Sequence, residues 1–143
     1  MIHRVATLLD LPELAELERR CFPGDAWNEA SLGAEVQRPG TLFRVIEVDG
    51  RVLASALGWW ILDEVEVMRV AVHPDAQRRG LGRRVLQDLE QARPDLEYAL
   101  LEVRDDNYAA IHLYESTGYV QDGLRPRYYS DGCDARLYRK KLR

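Results

Sequence analysis

The hydrophobic positions of this chain change period several times, and each change marks an element. Residues 2 to 9 suit a first strand. Asp10-Leu11-Pro12-Glu13 then combines an N-cap carboxylate, an early proline and a Glu in capping-box position, which predicts a helix to about Arg20. Cys21 to Trp27 reads as an irregular loop with an exposed aromatic, Trp27. Asn28 caps a second amphipathic stretch through Leu32 and Val36, and Pro39-Gly40 stops it.

From Thr41 the period falls to two. Leu42 to Val48, a turn at Asp49-Gly50 and Arg51 to Trp60 predict a hairpin, and Glu64 to Val72 a further strand. Helical spacing returns from about Gly82 to Ala92 and stops before Pro94. Tyr98 to Arg104 is a strand apolar enough to be central, and Asn107 caps a helix from Tyr108 to Thr117 that Gly118 ends. Two closing strands, near Tyr119 to Leu124 and Ala135 to Lys141, flank a polar loop carrying Tyr128, Tyr129 and Gly132. The order β-α-α-β-β-β-α-β-α-β-β predicts an α/β (α+β) fold, a mixed, mostly antiparallel sheet of about seven strands with helices on both faces.

At 143 residues the chain fits one domain, residues 1 to 143, with a single site. A net charge of −4 argues against general nucleic-acid binding. Basic residues nevertheless crowd Arg78 to Arg84 and Arg136 to Arg143. The first cluster reads as ligand-facing, the second as a solvated edge strand. Cys21 and Cys133, without partner spacing, fit a reduced cytoplasmic protein, with Cys21 packed beside Leu14 and Leu17; the scattered histidines suggest no metal site. The N-terminal apolar stretch is too short for a signal peptide or a membrane span.

Gln77-Arg78-Arg79-Gly80-Leu81-Gly82 carries the chemistry, because it joins a strand to a helix. Such a turn aims backbone N–H groups and the positive end of the helix at one point. Gly80 and Gly82 permit positive φ and a close ligand, and Arg78, Arg79, Arg83 and Arg84 can neutralise phosphate. The same hexapeptide also fits a basic helix cap. No P-loop is present, and the third glycine of the dinucleotide fingerprint is missing.

Arg69 to Pro74, the Gln-x-x-Gly-x-Gly turn, Leu101-Glu102-Val103-Arg104 with Asn107, and Leu113 to Tyr119 together resemble the GNAT N-acetyltransferases over nearly the full length. With the Asp63-Glu64 turn and Arg127-Tyr128-Tyr129, the resemblance is closest to members that acetylate the N-terminal alanine of ribosomal proteins. It implies the GNAT fold and acetyl-CoA as cofactor. The backbone of Met68, Val70 and Val72 would face the pantetheine, Gln77, Arg78, Arg79, Gly80, Leu81 and Gly82 would hold the pyrophosphate, and Asn107 would touch the cofactor's amide region or serve as a plain N-cap.

Acetylation of an amine by a thioester requires removal of a proton from the amine, stabilisation of an oxyanion and a proton for the thiolate. An α-amine with a pKa of about 7.7–8.0 needs only a modest base, whereas a lysine near about 10.4 needs much more. Glu102 matches the family's base position; a charge inside a central strand is unusual unless it faces a cavity. Tyr114 matches the group that protonates the thiolate, and is otherwise a core aromatic. Trp27, Asp63, Glu64, Tyr128 and Tyr129 are the substrate-side candidates, with Glu66 completing an acidic lip.

Two departures from the family pattern stand out. Ala26-Trp27-Asn28 occupies the place of Pro-Trp-Ser, and Arg69 stands where Asn is usual, a cation that, near an acidic groove, could change peptide preference. The expected function is acetyl transfer to a protein α-amine in a ternary complex, by a monomer or weak homodimer with no membrane or nucleic-acid partner. A small-molecule amine as acceptor and a non-catalytic acyl-CoA-binding module are the alternatives.

Overall fold

The computed structural model describes residues 1–143. The elements are β1 (Ile2–Val5), α1 (Leu11–Cys21), α2 (Glu29–Gln37), β2 (Thr41–Val48), β3 (Arg51–Ile61), β4 (Glu64–Val72), α3 (Leu81–Glu90), β5 (Tyr98–Arg104), α4 (Tyr108–Ser116), β6 (Val120–Arg125) and β7 (Ala135–Lys141), with 3₁₀ turns at Leu8–Asp10 and Pro74–Ala76. The seven strands form one mixed sheet in the order β1-β2-β3-β4-β5-β7-β6, antiparallel except between β4 and β5. No helix is long and apolar enough to cross a membrane.

Each face of the sheet buries its own core. α1 and α2 cover β2, β3 and the end of β4 with Leu14, Leu17 and Leu32 packed on Phe43, Val45, Leu57 and Ala71. On the other face, Leu81, Val85, Leu86 and Leu89 of α3 and Ile111 and Tyr114 of α4 pack on Val65, Val67, Leu101 and Val103. Those α3 positions recur at helical spacing, so the helix buries one stripe and leaves Arg83, Arg84 and Gln87 outside it.

Three expectations are corrected. β1 ends at Val5, not residue 9, because Thr7 N–H donates to Asp10 Oδ2 at 2.7 Å and folds the chain into the 3₁₀ turn. The Asp10 carboxylate therefore does not cap α1; Arg4 holds it at 2.8 Å, and Glu13 instead accepts the Val52 N–H at 2.8 Å across the fold. The basic C-terminal strand, β7, is interior and not an edge, lying between β5 and β6. Partners on neighbouring elements make this possible: Arg136 pairs with Asp105, Lys140 with buried Glu90 at 2.9 Å, and Arg139 stacks on Tyr98.

The feature that shapes the site is a split in the middle of the sheet. β4 and β5 pair only at Glu64–Tyr98, Val65–Ala99 and Glu66–Leu100, after which β4 continues to Val72 without a neighbour on that side. The split starts where β4 bulges. Leu57 faces Arg69 and Gly58 faces Val67, so Met68 is the extra residue. Gly58 is required at that point, since a Cβ there would lie 2.7 Å from Val65 Cγ2 and 3.2 Å from the Glu66 carbonyl oxygen.

Candidate active site

Beyond the bulge, β4 offers backbone groups to the split. His73 N–H donates to Leu53 O at 2.8 Å, so the alternation of the antiparallel ladder turns Ala71 toward β3 and the N–H and C=O of Val70 and Val72 toward the open side. The Val72 carbonyl accepts the Cys21 thiol at 3.2 Å. Burial pushes the Cys21 thiol up, which keeps it a donor rather than a nucleophile.

At the end of β4 the chain turns sharply into α3. Arg78 and Gly80 take positive φ, 67° and 76°, whereas Gly82, expected to share that role, lies within the helix. A Cβ on Gly82 would sit 3.5 Å from Leu113 and Val72, so its smallness brings α3 close to α4 and β4. No side chain caps α3 and no acid occupies its first turn, leaving the first N–H groups without intrahelical partners and the positive helix end unopposed. These groups open into a cavity of about 640 Å³ lined by Val72, Gln77, Arg78, Gly80, Leu81, Gly82 and Arg83 on one side and by α4 on the other. Uncapped donors with two guanidiniums fit a pyrophosphate. Arg79 is not part of the lining; its guanidinium turns back to the Asp75 carbonyl at 3.3 Å, and Arg84 turns to Met1.

Ala109, His112, Leu113 and Ser116 of α4, absent from the sequence-based candidates, form the far wall. Their spacing of three, four and seven was the available signal, one helix face beside the glycine turn. Asn107 lies outside this cavity and caps α4, its Oδ1 accepting the Ala110 N–H at 3.2 Å.

Glu102 and Tyr114 lie on opposite faces of the sheet, beside the split. The inward residues of β5, Ala99, Leu101 and Val103, face α3 and α4, so Leu100, Glu102 and Arg104 face the other way. Glu102 enters a cavity of about 260 Å³ with Glu66, Leu100, Asp122, Arg125 and Leu137. Glu66 and Leu100 also line a neighbouring groove of about 280 Å³ that holds Asp63 and Glu64 with Arg38, Trp59 and Trp60. The two depressions thus form one acidic trough. The Glu102 carboxylate pushes the Tyr128 phenol up, and the Tyr128 ring packs edge-on against Tyr129 at 5.2 Å. Tyr129 instead lies under Arg104, 4.8 Å from its ring centre.

Tyr114 sits in the α3–α4 core with Val70 and Val72 packed against the same cluster. Its hydroxyl has no hydrogen-bond partner in the chain, although Tyr119 packs edge-on at 5.6 Å. Burial pushes its pKa up to about 12, so at neutral pH it carries its proton.

The two departures from the family pattern prove to be one cluster. Arg69 is only 14% exposed, sandwiched between Phe22 at 4.0 Å and Trp27 at 5.0 Å and paired with Glu18 and Asp25 at 3.0 and 3.1 Å. Its charge is thereby balanced by Glu18 and Asp25, neither of which lines the acidic trough. Trp27 is not exposed either; it lines a separate depression of about 240 Å³ with Ser31, Glu35 and Trp59, joined to the trough through Trp59.

A family profile described as "Acetyltransferase (GNAT) family" matches residues 11–119. The chain is 39% identical over 141 residues to the N-alpha-acetyltransferase RimI of Mycobacterium tuberculosis, covering 94% of this chain and 88% of that protein. It is 36% identical over 124 residues to the [ribosomal protein bS18]-alanine N-acetyltransferase of Escherichia coli, covering 84% and 81% respectively. The crystal structure of the ribosomal-protein-S18-alanine N-acetyltransferase from Escherichia coli superposes with a TM-score of 0.86 at 32% identity, covering 99% of this chain and 93% of that one.

Proposed function

Because this chain belongs to the GNAT acetyltransferase family and uses acetyl-CoA as its acetyl donor, we propose that its acceptor is the N-terminal α-amine of a protein, an alanine terminus of a small-subunit ribosomal protein first among them. Residues 1–143 act as one catalytic unit, and transfer is direct, within a ternary complex. The observation that supports this reading most is the acidic trough. Asp63, Glu64, Glu66, Glu102 and Asp122 line connected depressions on the face opposite α3 and α4, which suits an extended, cationic acceptor.

Acetyl-CoA supplies the activated thioester; the remaining work falls to the chain. The Gln77–Gly82 turn with Arg78 and Arg83 holds the phosphates, and the Val70 and Val72 backbone orients the adjoining amides. Glu102 accepts the proton of the α-amine, directly or through one water. The Val70 N–H, already aimed into the split, serves as the oxyanion donor. Tyr114, whose hydroxyl is not engaged by the chain, would be the donor to the thioester sulfur of bound acetyl-CoA. Burial keeps the phenol protonated at neutral pH, as a donor to the thiolate requires.

A thiol-release assay tests the acceptor. Acetyl-CoA is offered with an Ala-terminated basic peptide, its N-blocked form, an internal-lysine peptide and polyamines. Turnover confined to the free Ala terminus supports the proposal; turnover only with small amines overturns it and leaves the cofactor site intact.

A further inference from the structure

We propose that Arg125 is an internal counter-ion of Glu102, occupying the place of the acceptor's ammonium group and displaced by it when the acceptor binds. The inference rests on the assignment of Glu102 as the acceptor-side base. Arg125 closes the β6–β7 ladder opposite Ala135, which fixes its backbone, while its side chain is 53% exposed. From there the guanidinium reaches over the Tyr128 ring, 5.4 Å from its centre, to place Nη2 3.6 Å from Glu102 Oε1. It lines the same cavity as Glu66, Glu102 and Asp122.

What separates Arg125 from its neighbours is how loosely it is held. Arg104 donates to both Asp106 and Asp131, and Arg136 to Asp105, all by hydrogen bonds that fix the loop. Arg125 has no such bond. Its separation from Glu102 is beyond hydrogen-bonding distance, the ion pair is partly solvated, and a pair of that kind is weak. A cation bound weakly in an acidic cavity, on a fixed backbone with a free side chain, is easily exchanged for another cation. Until that exchange it balances charge around Glu102, and the Tyr128 ring beneath it limits where the guanidinium can move. The acceptor therefore competes with the protein's own arginine, and an amine that makes few further contacts in the trough displaces it poorly. Arg125 is in this way an acceptor-site residue that lowers the affinity of any ammonium for Glu102 by the free energy of its own displacement.

The test is a double-mutant cycle read by calorimetric binding of the Ala-terminated peptide to the coenzyme A-loaded protein. Arg125→Gln should tighten binding of the free-amine peptide by about two- to fivefold, the range an exposed ion pair allows. Arg125→Lys should restore the original affinity, and the N-blocked peptide should respond to neither substitution. In a Glu102→Gln background, Arg125→Gln should no longer tighten binding. Coenzyme A affinity, measured alone, should not move, which separates displacement from a general change in fold. Unchanged or weaker peptide binding in Arg125→Gln, or a gain that persists without Glu102, overturns the inference. If the wild-type protein acetylates small amines and not the peptide, the protein-acceptor reading fails, and the same cycle with the reacting amine still decides the role of Arg125.

Discussion

Tyr114 and Tyr119 touch edge to edge in the same core, yet their hydroxyls have different fates. Tyr119 donates to Glu90 at 2.8 Å, and Glu90 is also held by Lys140 at 2.9 Å, so this phenol belongs to a buried structural network. The Tyr114 hydroxyl is not engaged by the chain, which is the condition of a group reserved for a bound reactant. Tyr114→Phe should therefore leave the melting temperature unchanged while lowering turnover, by about tenfold or more if its hydrogen bond to sulfur is made mainly in the transition state. Tyr119→Phe should do the reverse, losing about 1–3 kcal/mol of stability because a buried carboxylate oxygen loses its donor. Thermal denaturation and thiol release on the two variants check the pair; a melting temperature that falls with Tyr114→Phe and holds with Tyr119→Phe would exchange their roles. Glu102→Gln should keep fold and coenzyme A affinity but lower turnover by about 10²–10⁴-fold, the usual span for a general base.

At the scale of elements, the junction of β4 with α3 and the loop between α1 and α2 make separate predictions. Arg83 lines the cavity at the start of α3 and Arg84 does not, so, with the phosphates bound there as proposed, Arg83→Gln should raise the KM for acetyl-CoA by about three- to tenfold, with Arg84→Gln near wild type. Equal effects would mean that the cluster acts only through its summed field. In the loop, Arg69 pairs with Glu18, which is buried and also accepts the Trp27 N–H at 2.9 Å. Desolvation raises the Glu18 pKa above its ordinary 4.5 despite these partners. Between 4.5 and that raised value the folded state binds more protons than the unfolded one, so this group's contribution to stability falls as pH rises through the window. Arg69→Asn removes the guanidinium and should cost on the order of 3 kcal/mol at neutral pH, a deficit that shrinks on acidification as Glu18 takes up a proton. Melts across pH test this, and a pH-independent deficit would assign the loss to the Phe22–Trp27 stacking alone. Asp10 behaves oppositely. Hydrogen bonds from Arg4 are the leading cause holding it below 3.8, so its contribution is complete above that pH and lost as pH falls through the folded value.

For the molecule as a whole, what was legible in the sequence was what local rules govern. Asn28 and Asn107 cap their helices as expected, and Glu64–Val72 and Tyr98–Arg104 begin and end where expected, because caps, turns and period-two runs act over a few residues. The Met68 bulge, the interior place of β7, the α4 wall and the Arg125–Glu102 contact were not legible. Each depends on a partner distant in sequence: Gly58 for the bulge, Asp105 and Glu90 for the charges of β7, β6 for Glu102. The same long-range geometry divides the sheet, since β1–β4 and β5–β7–β6 are joined along their strands by three residue pairs. A molecule bridging the split would complete the sheet on the Val70 and Val72 side and brace the two halves through the α3 and α4 cavity. Coenzyme A at about one hundred times its Kd should thus add roughly 2.7 kcal/mol to stability by mass action. Hydrogen exchange should show where that stabilisation is felt. The amides of Val70 and Val72, which have no strand beside them, should gain the most protection, whereas those of Ala71 and His73, facing β3, should change little. Protection spread evenly along β4 would indicate general tightening of the fold, and no protection at Val70 and Val72 would show that the cofactor chain does not run along this strand.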